Sequence, residues 1–296
     1  MELRHLRYFI AVAETGSLTI AAEQRLHTSQ PSLSRQIRDL EEQVGAELFI
    51  RSARGVELTA AGKAFLDHAR LALTQVDAAV EAARRAVQPA KQRFALGFLT
   101  GQEMTWLPKA MNILREELPT VDVTVSSDYS PDLAEGLARG KLDVAFLRSE
   151  PGFDLTYHAV SHEPLVVLMP SDHHLAARKS IRPQDLVGEK FIAMANKAKV
   201  LRAAIDDYLQ REGIDIVPSQ GVDNPAMVMS LVASTRGVTL IPSYVENLMP
   251  WSVVSRPLAG TPPTIDLCVG YSKANMSPIL KLFVSRLNQL IGEETL

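Results

Sequence analysis

Apolar residues recur every three or four positions from the start of the chain. Leu3, Leu6, Phe9 and Ile10 form one face of a helix that stops at Gly16. Ser17 can cap a second helix, Leu18–Leu26, in which Ala21 and Ala22 are small packing residues. Thr28 or Ser29 can cap a third, and Pro31 falls in its first turn, where a missing N–H leaves no bond unmade. Leu33, Ile37, Leu40 and Val44 make its buried stripe, and Gly45 ends it. Three short helices joined by tight turns predict a helix-turn-helix unit. In the following "LFIRSARGVELT", apolar flanks around Ser52–Ala53–Arg54–Gly55 predict a hairpin, or wing.

The period then lengthens. Thr59 is a capping candidate for a long alanine-rich helix with apolar positions Ala60, Phe65, Leu66, Ala69, Leu73, Val76, Val80 and Val87. Such a stripe needs a partner, and a second copy of itself is the simplest; a core helix within one domain is the alternative. Pro89–Lys91 reads as a linker straight afterwards, which favours self-pairing. From Arg93 short apolar runs alternate with amphipathic stretches. Candidate strands are Phe94–Leu99, Val121–Ser126, Asp143–Leu147, Leu165–Met169, Phe191–Met194, Val238–Ile241 and Ile265–Val269. The helices Thr105–Glu117, Pro131–Arg139, Val200–Glu212 and Ala226–Ser234 fall between them. This pattern predicts an α/β region with mostly parallel strands, divided into two lobes. The whole chain is thus α + α/β.

The third helix opens with an unusual density of hydrogen-bonding groups. In a helix-turn-helix the second helix of the motif lies in the major groove, and its first residues meet base edges. Ser29, Gln30, Pro31, Ser32, Ser34 and Arg35 lie off the apolar stripe and are the candidates. Gln suits an adenine edge, Arg a guanine, and the proline ring a thymine methyl. Arg51 and Arg54 on the wing can reach backbone or minor groove. A merely solvated polar face is the competing explanation. Charge limits the picture: over residues 1–65, Arg4, Arg7, Arg25, Arg35, Arg38, Arg51, Arg54 and Lys63 are cancelled by Glu2, Glu14, Glu23, Asp39, Glu41, Glu42, Glu47 and Glu57. A single copy should therefore bind DNA weakly, and pairing several copies would supply the affinity.

Composition narrows the class further. The chain has 296 residues, a net charge of −3 and 46% hydrophobic residues. No apolar run approaches the roughly 18 residues a membrane span needs, and the charged first turns are unlike a secretory signal. The single cysteine, Cys268, sits between Leu267 and Val269 and reads as a small buried hydrophobe. These features predict a cytoplasmic protein. There is no G-x-S-x-G, H-E-x-x-H or Gly-rich phosphate loop, so no catalytic residues, metal or cofactor are assigned. His173 and His174 are adjacent, no third ligand is evident beside them, and an exposed loop is the expectation.

The N-terminal stretch, with "SQPSLSRQI", "LFIR" and "LTAAG" in place, resembles the LysR-type transcriptional regulators over residues 1–66. The likeness continues more loosely through "LARGKLDVAFLR", "EPLVVLMPSDHHLA" and "LVASTRGVTLIP". One departure stands out: "AAEQRLH" carries one residue more than the commoner spacing before the turn, which bears on where the second helix ends. The resemblance implies a winged helix-turn-helix over residues 1–58, a dimerising linker helix over 59–88 and an effector domain over 89–296. That domain would resemble type 2 periplasmic binding proteins, with lobes of about 92–161 plus 266–296 and 162–265. It also implies a homodimer or homotetramer on dyad-symmetric, double-stranded promoter DNA, with RNA polymerase a candidate partner. By similarity Gln30, Pro31, Ser32 and Ser34 would read bases, Arg35 a base or phosphate, and Arg54 the minor groove.

In such a domain an effector cleft forms where strand ends and helix starts converge. Candidate lining residues are Thr100, Gly101 and Gln102 after the first strand, and Tyr129 and Ser130 before the second helix of the region. In the other lobe they are Asn196, Lys197 and Lys199, and Asp223, Asn224 and Pro225. Helix-start N–H groups suit a carboxylate, and Lys197, Lys199 or Arg202 can add charge. Each residue could equally be an ordinary cap or turn residue. Arg148 reads as an effector, hinge or inter-lobe salt-bridge residue, and Trp106 and Tyr129 are the aromatics nearest the loops. The expected effector is a small organic anion, an aromatic or phenylpropanoid acid first. Two rivals remain: an enzyme or solute receptor built on the α/β half, and a DNA-coating protein without an effector.

Overall fold

The computed structural model describes residues 1–52, 55–86, 92–194, 197–222 and 224–291. It contains two compact units, Met1–Ala83 and Arg84–Leu296. In the first, α1 (Leu3–Thr15) buries Leu6, Phe9 and Val12 and ends at Gly16, whose φ of 62° and N–H to the Val12 carbonyl close the turn. The next helix starts as expected, with the Ser17 hydroxyl accepting the Ile20 N–H. It stays α-helical only over α2 (Leu18–Ile20), however, and Ala21–Arg25 is a π-helical turn. There the Leu26 N–H reaches five residues back to the Ala21 carbonyl, and His27 turns to φ 48°. The extra residue of "AAEQRLH" is thus taken up as a wider turn, correcting the regular helix expected to Leu26.

Ser29, not Thr28, caps α3 (Gln30–Val44), and Leu33, Ile37 and Leu40 are fully buried along it. Phe9 packs at the centre, with ring centroids 5.0 Å from Phe49 and 5.1 Å from Phe65. The wing pairs β1 (Phe49–Ser52) with β2 (Gly55–Leu58); Arg54 lies outside the described residues. At Gly55, φ is 132° and a Cβ would stand 2.8 Å from the Gly16 carbonyl oxygen, the acceptor of the Val56 N–H. Only glycine lets the wing close on the first turn so tightly. Thr59 caps α4 (Ala60–Ala86) by accepting the Gly62 N–H at 2.9 Å. Val87 and the expected linker Pro89–Lys91 are outside the described residues.

The second unit runs β3 (Gln92–Leu99), α5 (Glu103–Ile113), β4 (Val121–Asp128), α6 (Ser130–Ala138), β5 (Val144–Leu147) and β6 (Leu155–Pro170). It continues with β7 (Ile192–Met194), α7 (Lys199–Arg211), β8 (Gln220–Val222), α8 (Pro225–Thr235), β9 (Thr239–Pro242), β10 (Val253–Pro257), β11 (Thr264–Ser272) and α9 (Pro278–Ser285). The sheet order is β10-β6-β11-β5-β3-β4, with β9 also against β6, and β7 and β8 form a separate parallel pair. β3 is parallel to β4 and β5, but β11 is antiparallel to β5 and β6, and β6 is antiparallel to β9 and β10. The region is therefore mixed rather than mostly parallel.

Two long strands account for this. β6 pairs with β11 from Leu155 to Pro164, then with β9 and β10 from Leu165 onward. It leaves one core and enters another. The core holding Phe94, Phe98, Phe146, Leu267 and Phe283 lies on one side, and the core of Leu165–Met169, Ile205, Val228, Leu240 and Ile265 on the other. β6 and β11 are the crossing strands, and the changeover falls at Pro164–Leu165 and Ile265–Leu267.

Candidate functional site

Two places gather the sequence candidates, one in each unit. At the start of α3, Pro31, Ser32 and Arg35 are exposed and Gln30 is half-buried, while the Ser29 hydroxyl caps the helix. Arg35 makes no hydrogen bond or ion pair among the described residues, so its fork is available to a base or phosphate. Ser34 is different. It is only 7% exposed, and its Oγ accepts a bond from Arg51 Nη1 at 3.2 Å. Ser34 is thus a strut for the wing rather than a base reader, because it falls three residues before Ile37, on the flank of the buried stripe. Arg51 is braced a second time by Glu41, Nη2 to Oε2 at 3.4 Å. Glu41 went unnoticed in the sequence, yet its Oε1 accepts the Leu48 and Phe49 N–H groups at 2.9 and 3.1 Å. It fixes the wing to α3, and no local spacing signals that contact.

In the second unit a narrow cleft runs between the lobes. Thr100, Tyr129 and Ser130 line it from one lobe, with Leu99, Pro131, Arg148 and Glu150. Met194, Ala198, Val200, Leu201, Pro225, Pro242 and Tyr244 face them from the other. The remaining candidates stand off the wall. Gly101 makes the turn at φ 92°, against Leu248 and Tyr244. Gln102 is buried and turned toward Glu163, Asn224 caps α8 by accepting the Met227 N–H at 2.8 Å, and Lys199 is an exposed first residue of α7. Asn196 and Asp223 lie outside the described residues.

Set into the wall at Arg148 and Tyr244 is a buried ionic network. Arg148 and Glu163, 3% and 5% exposed, form an ion pair through Nη2 and Oε2. Gln102 Nε2 donates to Glu163 Oε1 at 2.7 Å, the Arg148 N–H donates to Ser130 Oγ at 2.9 Å, and Arg148 Nη1 donates to the Ile265 carbonyl at 3.4 Å. Of the roles open to Arg148, the salt bridge is the one formed: it ties the end of β5 to β6 beside the changeover. Tyr244 joins them, with its ring 5.9 Å from the guanidinium and its hydroxyl donating to the Thr100 carbonyl at 3.3 Å. Burial raises the pKa of this phenol, so it remains a donor. Glu163, Tyr244 and Glu150 were all missed in the sequence, since they meet only after folding.

Other charges are also matched across or beside the cleft. Lys197 Nζ lies 2.7 Å from Asp132 Oδ2 and 4.9 Å from the Tyr129 ring centroid. Arg202 pairs with Asp206 at 3.2 Å. Neither cation is free for an effector, contrary to expectation. Glu150 is buried, and desolvation pushes its carboxyl up to about 7 against the opposing pull of Lys199. Trp106 is a core residue packed on Phe146, 5.6 Å between rings. Cys268 is buried, with its thiol pushed up to about 11, which suits an inert hydrophobe.

The histidine pair does have a third neighbour. Glu189 approaches His173 Nε2 at 3.3 Å and His174 Nε2 at 3.1 Å. His173 is buried, and its Nδ1 accepts the Leu175 N–H at 3.3 Å.

Known proteins carry the same two parts. Residues 3–63 match the bacterial regulatory helix-turn-helix protein, lysR family, and residues 88–291 match the LysR substrate binding domain. The chain is similar to the Hca operon transcriptional activator HcaR of Escherichia coli (strain K12), at 39% identity over 302 residues and 100% of both chains. It is also similar to the HTH-type transcriptional regulator AlsR of Bacillus subtilis (strain 168), 33% identical over 96% of this chain and 94% of that one. The crystal structure of full-length CbnR complexed with its target DNA is 26% identical, with a TM-score of 0.56, covering 98% of this chain and 100% of that one. No helix among the described residues is long and apolar enough to cross a membrane.

Proposed function

We propose, from the premise that this chain belongs to the LysR family of bacterial transcriptional regulators, that it reads a dyad-symmetric promoter site and answers to a small organic acid held in the cleft. It is a DNA-binding transcription regulator and not an enzyme. In this reading residues 1–58 bind DNA, residues 59–88 pair the copies and residues 89–296 sense the effector. It works in the cytoplasm, where its promoter is. Gln30, Pro31, Ser32 and Arg35 meet the major groove, and Arg51 and Arg54 follow the backbone from the wing. Because the charges of the DNA-binding part cancel, useful affinity comes from several copies acting together. The exposed Val80 on α4, on the same face as the half-buried Leu73 and Val76, suits a helix that pairs with a second chain, and two such dimers make the tetramer. RNA polymerase remains a candidate partner at the promoter.

The observation that carries the effector is the cleft. Its walls are mostly apolar, through Met194, Leu201, Pro225 and Pro242, with Tyr129 alongside. The start of α6, at Ser130, offers N–H groups and a favourable helix end to a carboxylate. An aromatic acid fits this combination, and HcaR, the activator of the Hca operon, supports an activating role by similarity. Thermal melts against a panel of aromatic and aliphatic carboxylates test the reading. An acid present at 100 times its dissociation constant should add about 2.7 kcal/mol. No stabilisation by any acid at millimolar concentration would refute the effector and leave the DNA-binding assignment intact.

A further inference from the structure

Glu150 is an acid set into a mostly apolar wall. It is 6% exposed and lines the cleft with Ser130, Met194, Val200 and Tyr244. No described residue donates a hydrogen bond to its carboxylate; its backbone carbonyl accepts the Tyr157 hydroxyl at 3.3 Å. Three other acids at the cleft each hold a close basic partner, Glu163 with Arg148, Asp132 with Lys197 and Asp206 with Arg202, while Asp128 and Glu103 accept backbone N–H groups. Glu150 has only the longer-range pull of Lys199, across the cleft at the start of α7. A ligand that fills the cleft removes further water from this carboxyl, and whatever it presents there must suit an acid.

We propose that Glu150 makes the cleft selective for monocarboxylates over dicarboxylates, by placing a buried acid where the ligand's second carboxylate would lie. The inference rests on the effector reading above. A monocarboxylate sends its charge to the helix start at Ser130 and its apolar body along Met194 and Leu201. A dicarboxylate of the same shape brings a second negative charge beside Glu150, in surroundings too dry to screen it. Two of the basic groups that could answer such a charge, Arg148 and Lys197, are already taken by Glu163 and Asp132, and Lys199 acts on Glu150 only at longer range. Selection here comes from repulsion of the wrong ligand rather than from extra contacts to the right one.

The test is calorimetric titration of the full-length protein with phenylpropionate and with its ring-carboxylated counterpart, at pH 8. The wild type should bind the monocarboxylate at least 10-fold more tightly. Glu150→Gln, similar in shape and uncharged, should strengthen dicarboxylate binding at least 10-fold while changing monocarboxylate binding less than 3-fold. Glu150→Asp keeps the charge and should keep the preference, which separates selection from damage to the fold. Equal binding of the two acids by the wild type, or dicarboxylate binding that Glu150→Gln leaves within 3-fold of the wild type, overturns the role of Glu150 alone. Failure of both acids to bind the wild type overturns the effector reading, and this inference with it.

Discussion

Removing one member of the Arg148–Glu163 pair should be among the most damaging single changes in the second unit. Glu163→Gln keeps an oxygen for the Gln102 N–H at nearly the same place but strips Arg148 of its counter-charge. Arg148 is 3% exposed, so no water can take over that role. Breaking such a buried pair costs about 3–5 kcal/mol, most of it the penalty of the charge left behind. For a unit of this size each kcal/mol lowers Tm by roughly 2–4 °C, so the expected fall is about 6–20 °C. Tryptophan fluorescence is the natural assay. Both tryptophans, Trp106 and Trp251, lie in Arg84–Leu296, so their signal follows that unit alone. Arg148→Met should cost a similar amount, and the double variant should lose at least about 2 kcal/mol less than the two single losses combined. Single losses under about 1 kcal/mol, or strict additivity, would refute the claim that the pair is dry and interdependent.

Other perturbations probe separate parts of the molecule. Arg35→Ala and Gln30→Ala should each weaken specific promoter binding by about 1–3 kcal/mol in fluorescence anisotropy; wild-type binding by both would remove α3 from the groove. Glu41→Ala leaves two N–H groups of the wing without their acceptor and should cost about 1–3 kcal/mol, read in denaturant unfolding of the first unit. Glu150 holds a proton in the folded state up to about pH 7, whereas the unfolded chain gives it up near its ordinary value of 4.5. Its contribution is therefore complete below about pH 4.5 and is lost as pH rises through 7. On the order of 1–3 kcal/mol should disappear over that range, and Glu150→Gln should flatten the profile; identical pH profiles for the two proteins would contradict the buried position. Deleting Gln24, exposed in the π turn, should convert Ala21–Arg25 to ordinary α-helix and leave promoter binding within about threefold. A collapse of binding would mean that the wide turn itself positions α3.

What the sequence disclosed was the locally determined part. Caps at Ser17 and Thr59, the stops at Gly16 and Gly45 and the stripe of α3 depend on neighbours within a turn or two, so they could be read directly. Ser34 was misread for a reason within reach: three residues before Ile37, it lies on the flank of the buried stripe. The first half of β6 carries His158, Ser161, His162 and Glu163, without the apolar run that betrayed Leu165–Met169. Its antiparallel pairing with β11 joins segments about a hundred residues apart, and periodicity says nothing of direction. The cleft was legible as a place, at Thr100, Tyr129 and Ser130. Its chemistry was not, because Arg148, Glu163 and Tyr244 come from three distant segments.

That chemistry bears on how a bound acid could alter the regulator. A ligand shifts an equilibrium between two arrangements only by its difference in affinity for them, so contact with a single lobe shifts nothing between the lobes. Here the cleft is spanned by groups that already contact each other: Lys197 with Asp132, the Tyr244 hydroxyl with the Thr100 carbonyl, and the Asn247 amide with the Thr105 hydroxyl at 3.4 Å. On the effector reading proposed above, a ligand seated between Ser130 and Leu201 would compete with these contacts or reinforce them. Ser130 would connect it to the β6 changeover, since its hydroxyl holds the Arg148 N–H and Arg148 holds Glu163 there. The start of α6 is thus linked to the strand that joins the lobes by two polar contacts, both buried and both costly to leave unmade.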